Sequence, residues 1–398
     1  MAKLRRERGG KMAEGDWSAE SSDPAIILEV AYEDALTYQD KSFVPAELFD
    51  DVEFVCRCSN QAGTRFLMAC LVARISNPTL DIRKPYTEIG GDGIYSGRHY
   101  DETYIAPLVF KYSLPVNPTT SFLTPAFRTN KSAIAPGVEL IGRPKQLYEK
   151  VVKLITATHE GLVKPEFLLI ELLGWLIAIR EERAQRIKTI SASLKAVQTE
   201  LSSLPAENIV TLIQQHLALP KSSRLPVLIV TAAYQAARER LGEQALPLQG
   251  HNAADRQTGA LGDVQIVLED ESNVLTVYEM KAKRVLREDL EIAIQKLAKS
   301  GRRIDNYIFI TTDRIDDSVK DFAATLHNKI GVEFVILDCI GFLRHFLHLF
   351  YRVRMDFLNA YQNLMMTEPD SAVNPSLKEA FLSLRLATET GIAQTQQE

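Results

Sequence analysis

From residue 223 onward the chain alternates two hydrophobic periods in a fixed order, and few architectures accommodate that order. A helical pattern (LPVLIVTAAYQAARERLG) and a polar loop precede two short apolar runs, Val264 to Leu268 and Val274 to Tyr278, with the polar Glu269 to Asn273 between them. The runs are rich in β-branched and aromatic residues, and the short polar connection predicts a hairpin. Helix REDLEIAIQKLAKSG, strand NYIFITT, helix DRIDDSVKDFAATLHNKIG, strand VEFVILD and an apolar helix near 340–363 follow. The order α, β, β, α, β, α, β, α predicts a mixed α/β fold with helices layered on a sheet.

The second run ends in YEMKAK, which raises the question of chemistry. Side chains along a strand repeat every second residue, so Glu279 and Lys281 point to the same face. Asp263 opens the first strand, and antiparallel pairing brings it back beside Glu279. Two carboxylates can hold Mg²⁺, which keeps several waters and leaves positions for a phosphate oxygen. Such an ion lowers the pKa of a bound water and offsets charge at a phosphate undergoing attack, while the Lys281 ammonium can hold the attacking water. The same letters have an ordinary reading, in which Glu279 and Lys281 form a solvated salt bridge on an edge strand and Asp263 caps a turn.

Asp263, the Glu-x-Lys at 279–281 and the surrounding helix–strands–helix–strand order resemble the PD-(D/E)XK nucleases. That resemblance implies a C-terminal nuclease core: a helix, a three-stranded meander, a helix and a strand, with Asp263 and Glu279 as metal ligands for Mg²⁺ and Lys281 as the catalytic lysine. Residue 262 is Gly where the motif has Pro. The family often draws a further carboxylate from the preceding helix, which points to Glu239 or Glu243. Residues 281–303 carry Lys281, Lys283, Arg284, Arg287, Lys296, Lys299, Arg302 and Arg303 against Glu288, Asp289 and Glu291. This is a basic stretch in a chain of net charge −5, and phosphate binding requires such a patch. Over 287–299 it reads equally well as a solvated helix face with i,i+4 ion pairs.

The first half has a different texture. VEFVCRC at 52–58 reads as a strand with Cys56 and Cys58 on one face, and TRFLMACLVARI reads as a helix. Residues 81–144 are rich in Gly, Pro, Tyr, Asn and Thr and predict a loop-rich α+β region. Arg83, Lys84, Arg98, His99, Asn117, Arg128, Asn130 and Lys131 are donors suited to base edges and phosphates, and with Lys283 and Arg284 they are the candidate DNA contacts. Tyr86, Tyr95, Tyr100 and Tyr104 suit base stacking or core filling equally. IGGDGIYSG lacks the Lys of a phosphate loop and predicts turns. FLLIELLGWLIAI at 167–179 is too short to span a bilayer and carries Glu171, so it predicts a core helix and no membrane partner. The charged half that follows predicts a solvated or partner-facing surface, and 172–204 offers a dimer contact.

Two segments, YTEIGGDGIYSGRHYDETYI and LPVNPTTSFLTPAFR, resemble the SacI family of type II restriction endonucleases. That likeness implies cleavage of double-stranded DNA at a short palindrome such as GAGCTC and a homodimer that mirrors its two-fold axis. It also implies a cognate methyltransferase acting on the same site without having to bind this protein. Two alternatives stand beside it: a structure-specific repair or recombination nuclease of the same superfamily, and a DNA-binding module without catalysis. Four cysteines without metal-ligand spacing fit a reducing cytoplasm. The expected organisation is a disordered arm over 1–24, a recognition and helical domain over 25–220, a nuclease domain over 221–365 and a polar tail over 366–398.

Overall fold

The computed structural model describes residues 22–37, 42–117, 119–128, 130–198, 203–248, 260–269 and 273–397. The arm expected over 1–24 lies outside them except for its last three residues. So do most of the polar loop before Asp263 and the centre of the hairpin turn, 270–272. The chain divides into two compact units, 1–185 and 186–398.

Within the first unit the described residues form helices and turns and no strand, which corrects the α+β expectation. The principal helices are α1 (Pro24–Thr37), α2 (Ala46–Arg57), α3 (Ala62–Ser76), α4 (Lys145–His159) and the first half of α5 (Pro165–Gln198). VEFVCRC is the second half of α2, not a strand. Leu48, Phe49, Val52, Val55 and Cys56 are buried at helical spacing, whereas Cys58 already caps the helix. A run of five apolar-leaning residues fits both periods, and the upstream Leu48 and Phe49 decide for the helix. Helix α3 is buried on all sides from Ala62 to Ala73, as a central helix must be. Leu168 to Leu173, Trp175 and Leu176 of α5 pack in the same core, so FLLIELLGWLIAI is the core helix its composition predicts.

Among the described residues of 81–144, Gly97–Tyr100, Asp101–Ile105 and Ala106–Lys111 run on as one continuous helix with a π-helical middle, and the other helical pieces, Thr87–Ile89, Ser121–Leu123 and Pro125–Arg128, are single turns. Gly90, Gly91 and Gly93 take φ of 73°, 80° and 73°, a left-handed region that glycine enters without strain, so the IGGDG stretch is turns. A buried ion pair ties the segment down. Arg65 Nε meets Asp101 Oδ1 at 2.6 Å, the two side chains being 2% and 0% exposed, and the Arg65 guanidinium donates to the Asn117 carbonyl. The Ser121 amide and the Thr120 hydroxyl donate to the other Asp101 oxygen.

The second unit is the mixed α/β layer that the alternation predicts. Helix α6 (Ala206–Leu217) leads through a short turn at 218–224 into α7 (Leu225–Leu241). The boundary expected near residue 220 is therefore internal to this unit: Leu194 of α5, Ile209 of α6 and Leu228 of α7 are buried in one core. Ile187 and Ile190 pack on that core too, so the second half of α5 is not a purely solvated helix.

Five strands follow in spatial order β1 (Glu243–Ala245), β2 (Val264–Leu268), β3 (Val274–Lys281), β4 (Asn306–Thr311) and β5 (Glu333–Asp338). β1, β2 and β3 pair antiparallel, whereas β4 and β5 run parallel to β3. Helix α8 (Arg287–Ser300) connects β3 to β4, and α9 (Asp317–Ala324) lies between β4 and β5. One sheet face (Val267, Val277, Tyr307, Phe309, Phe334) packs against Leu290, Ala293 and Leu297 of α8 and Val319 of α9. The opposite face (Val264, Ile266, Tyr278, Ile310) packs with α7, α10 (Cys339–Leu349) and α11 (Arg354–Thr367).

The described residues of 366–398 are no tail. They contain α12 (Pro375–Gln397), whose Leu377, Phe381 and Leu382 are buried in the core. Arg385, 1% exposed, bonds Glu389 at 2.7 Å and donates to Gln362 and Asn359 of α11. Arg385 and Glu389, two of the polar letters that read as a tail, are thus buried in a network that ties α12 to α11.

Candidate active site

The site grows from the pairing of β2 with β3. Val264 stands opposite Tyr278, so Asp263, one residue outward, comes level with Glu279. Val267 and Val277 face α8, and period two carries Asp263, Glu279 and Lys281 to that same face. Asp263 is fixed further by accepting a hydrogen bond from the Met280 amide, 2.7 Å to Oδ2. The three residues singled out from sequence therefore meet at one sheet end, where β3 runs out of its apolar stretch.

Why the site takes this form locally follows from Gly262. A Cβ there would lie 2.5 Å from Val277 Cγ1, 2.8 Å from the Tyr278 carbonyl and 3.3 Å from Glu279 Oε2. The chain before Asp263 runs so close to β3 that no side chain fits, neither the Pro of the motif nor an Ala. The departure at 262 is a consequence of close strand approach.

Glu279 keeps 16% of its side-chain surface and is surrounded by fixed groups. The buried Tyr307 on β4 lies with its hydroxyl 3.2 Å from Glu279 Oε2 and 3.0 Å from the Leu261 carbonyl. Lys281 Nζ stands 3.6 Å from Glu279 Oε1, and Lys296 Nζ of α8 stands 3.7 Å from Oε2. Lys281 Nζ is closer still to Asp289, 3.1 Å from Oδ1. In the sequence, Asp289 and Lys296 are only two charges of a basic stretch. Their distance from Lys281 and Glu279 along the chain hides the contact, which the crossover from β3 through α8 creates.

Glu243 and Glu239 do not supply the further carboxylate. Glu243 pairs with Leu268, at the opposite end of β2 from Asp263. Glu239 follows Arg238, which pairs with Glu269 beyond that same far end. Among the described residues no three His, Cys, Asp or Glu side chains form a metal-holding group. Asp263 and Glu279, opposed on neighbouring strands, still suit Mg²⁺, which is commonly held by one or two carboxylates with waters completing its octahedron.

The basic stretch resolves into individuals. Lys283 is exposed, Arg284 pairs with Asp316 at 3.2 Å, and Arg287 pairs with Glu291 across one helical turn. Thr311 Oγ1 donates to the Lys283 carbonyl and holds the turn that leaves the site.

The other candidate DNA contacts belong to the first unit. Arg83 forks onto Asp81, Arg98 Nε donates to Glu102, and Lys84 donates to the Asp92 carbonyl. His99 Nδ1 lies 3.3 Å from the Thr103 hydroxyl, its ring edge-on to Tyr100 and Tyr104. The Asn130 side chain closes a turn with Ser132, and the Asn117 carbonyl is the acceptor for Arg65. Arg128 and Lys131 are exposed. Tyr95 is buried, and Tyr86, Tyr100 and Tyr104 pack on the core, so the tyrosines fill space and build no stacking platform. A cavity of about 720 Å³ also lies in this unit, between α2, α4 and residues 136–140. Glu47, Glu139, Glu149 and Glu160 line it with Lys145 and Lys153, and both lysines are paired to carboxylates, a net acidic setting that disfavours a phosphate.

A scan of known protein families finds none that matches this chain, and no curated protein matches it either.

Proposed function

We propose that the chain is a Mg²⁺-dependent endonuclease that hydrolyses DNA phosphodiesters at Asp263, Glu279 and Lys281. The observation that carries this reading is the cross-strand placement of Asp263 level with Glu279, with Lys281 two residues on, all on the face that α8 covers. The order of helix α7, antiparallel β1 to β3, helix α8 and parallel β4 supports it, because that is the order the PD-(D/E)XK resemblance implies.

In this reading Asp263 and Glu279 hold the cation, with Tyr307 and the Met280 amide fixing one carboxylate each. The cation supplies a bound water of lowered pKa and offsets charge at the scissile phosphate. Lys281 orients the attacking water through an Nζ hydrogen bond and places its positive charge beside the phosphate oxygens. The exposed Lys283 lies just beyond and suits the phosphate backbone of the same strand.

Recognition of a short palindrome in duplex DNA by a homodimer is the finer reading. Its support is the SacI-like character of residues 86–105 and 114–128 together with the exposed Arg128 and Lys131. Lys281→Ala is expected to abolish cleavage while DNA binding in Ca²⁺ stays within a few fold of wild type. A Lys281→Ala protein that cuts at the wild-type rate contradicts the assignment. Cutting that follows branched structure and ignores sequence selects the repair-type nuclease, and binding without any metal-dependent cutting selects the non-catalytic module.

A further inference from the structure

We infer that Asp289 is a positioning residue for Lys281, an assignment that rests on the nuclease reading of the same site. Helix α8 packs its apolar residues Leu290, Ala293 and Leu297 against the sheet face that carries the site. Asp289 and Lys296, seven residues apart on this helix, lie about two turns from one another on one side of it. Each meets the opposite charge on β3: Asp289 Oδ1 stands 3.1 Å from Lys281 Nζ, and Lys296 Nζ stands 3.7 Å from Glu279 Oε2. Helix α8 thus supplies a counter-charge to each functional group of the strand above it.

The two contacts of Lys281 are unequal. The ion pair with Asp289 is the closer, 3.1 Å against 3.6 Å to Glu279. Asp289 therefore draws the ammonium toward itself and away from the carboxylate that would hold a cation. It is well placed to do so, because its other oxygen accepts the Leu286 amide at 2.9 Å, at the start of α8. A lysine side chain is long and rotamer-rich, and an anchored carboxylate fixes where its charge sits. With one oxygen on Lys281 and one on a backbone amide, Asp289 acts through Lys281 and is no third metal ligand.

Asp289→Asn separates this role from helix capping, since Asn keeps an acceptor for the Leu286 amide but loses the charge that holds Lys281. In the full-length protein, the single-turnover cleavage rate in Mg²⁺ is expected to fall about 10- to 100-fold, the range for groups that orient a metal-site residue. DNA affinity in Ca²⁺ and Mn²⁺ affinity by calorimetry should stay within about twofold, and Asp289→Glu should recover part of the rate. An Asn variant that cuts like a cleaving wild type overturns this inference alone. So does a rate loss accompanied by an equal loss of cooperative folding, which makes Asp289 only a cap, or by a tenfold loss of Mn²⁺ affinity, which makes it a ligand. A wild type inert on every DNA tested overturns the nuclease reading and this inference with it.

Discussion

Asp263 Oδ2 accepts a hydrogen bond from the Met280 amide at 2.7 Å, and through it the carboxylate of one strand is locked between Glu279 and Lys281 of the next. Asn in place of Asp263 keeps an acceptor for that amide and removes the charge. Asp263→Asn is therefore expected to unfold within about 1 kcal/mol of wild type, the net worth of one hydrogen bond. Its cleavage and its Mg²⁺ affinity should both collapse. Urea unfolding beside a nicking assay checks this, and a stable variant with undiminished cleavage contradicts the role given to Asp263.

Gly262→Ala is expected to damage stability and site together. The added Cβ meets the Tyr278 carbonyl at 2.8 Å, a backbone atom that cannot rotate aside. Overpacking of this kind costs about 1–3 kcal/mol, and relief by strand separation moves Asp263 off the Met280 amide. A thermal melt of the Ala variant that coincides with wild type contradicts the close approach at 262.

Arg65→Met leaves Asp101 buried without its cation. Breaking a buried pair on one side costs about 3–5 kcal/mol, and the loss should appear as a lower urea midpoint. Asn117, Thr120 and Ser121 hang on the same pair, so limited proteolysis should find new cuts beside them. A loss below about 1 kcal/mol, the scale of an exposed pair, contradicts the account.

His216 gives the fold a pH limit. It is buried, with Nδ1 3.0 Å from the Tyr361 hydroxyl and Nε2 3.0 Å from the Leu377 carbonyl. Burial pushes its pKa down to about 4 from the usual 6.5. Below pH 6.5 the unfolded chain takes up a proton that the folded chain refuses, so the stability tied to neutral His216 is intact above pH 6.5 and is lost as pH falls toward 4. Between pH 7 and pH 5 the loss from this residue is about 2 kcal/mol. Urea titrations at the two pH values measure it, and a His216→Gln variant with the same pH dependence shows that another group is responsible.

What the sequence made legible follows from how local each signal is. Strands β2 to β5 and helices α7, α8 and α9 announce themselves because their apolar residues repeat at one period, and the paired β2 and β3 place Asp263, Glu279 and Lys281 by alternation alone. Three-residue β1 carries too little pattern to stand out. Helix α2 was masked by a window in which both periods fit, and α12 by polar residues whose partners, Gln362 and Asn359, lie on α11. Asp289 and Lys296 were invisible as site residues because their meaning depends on α8 folding back over β3, a tertiary fact with no local signature.

The most direct measurement is incubation of the purified protein with an unmethylated plasmid of known sequence, in Mg²⁺ and in EDTA, with the ends of any fragments sequenced. The account predicts discrete fragments in Mg²⁺ alone, all sharing one short palindromic site and one cut position. An intact plasmid in Mg²⁺, with branched DNA also left whole, contradicts it and removes the catalytic role from Asp263, Glu279 and Lys281.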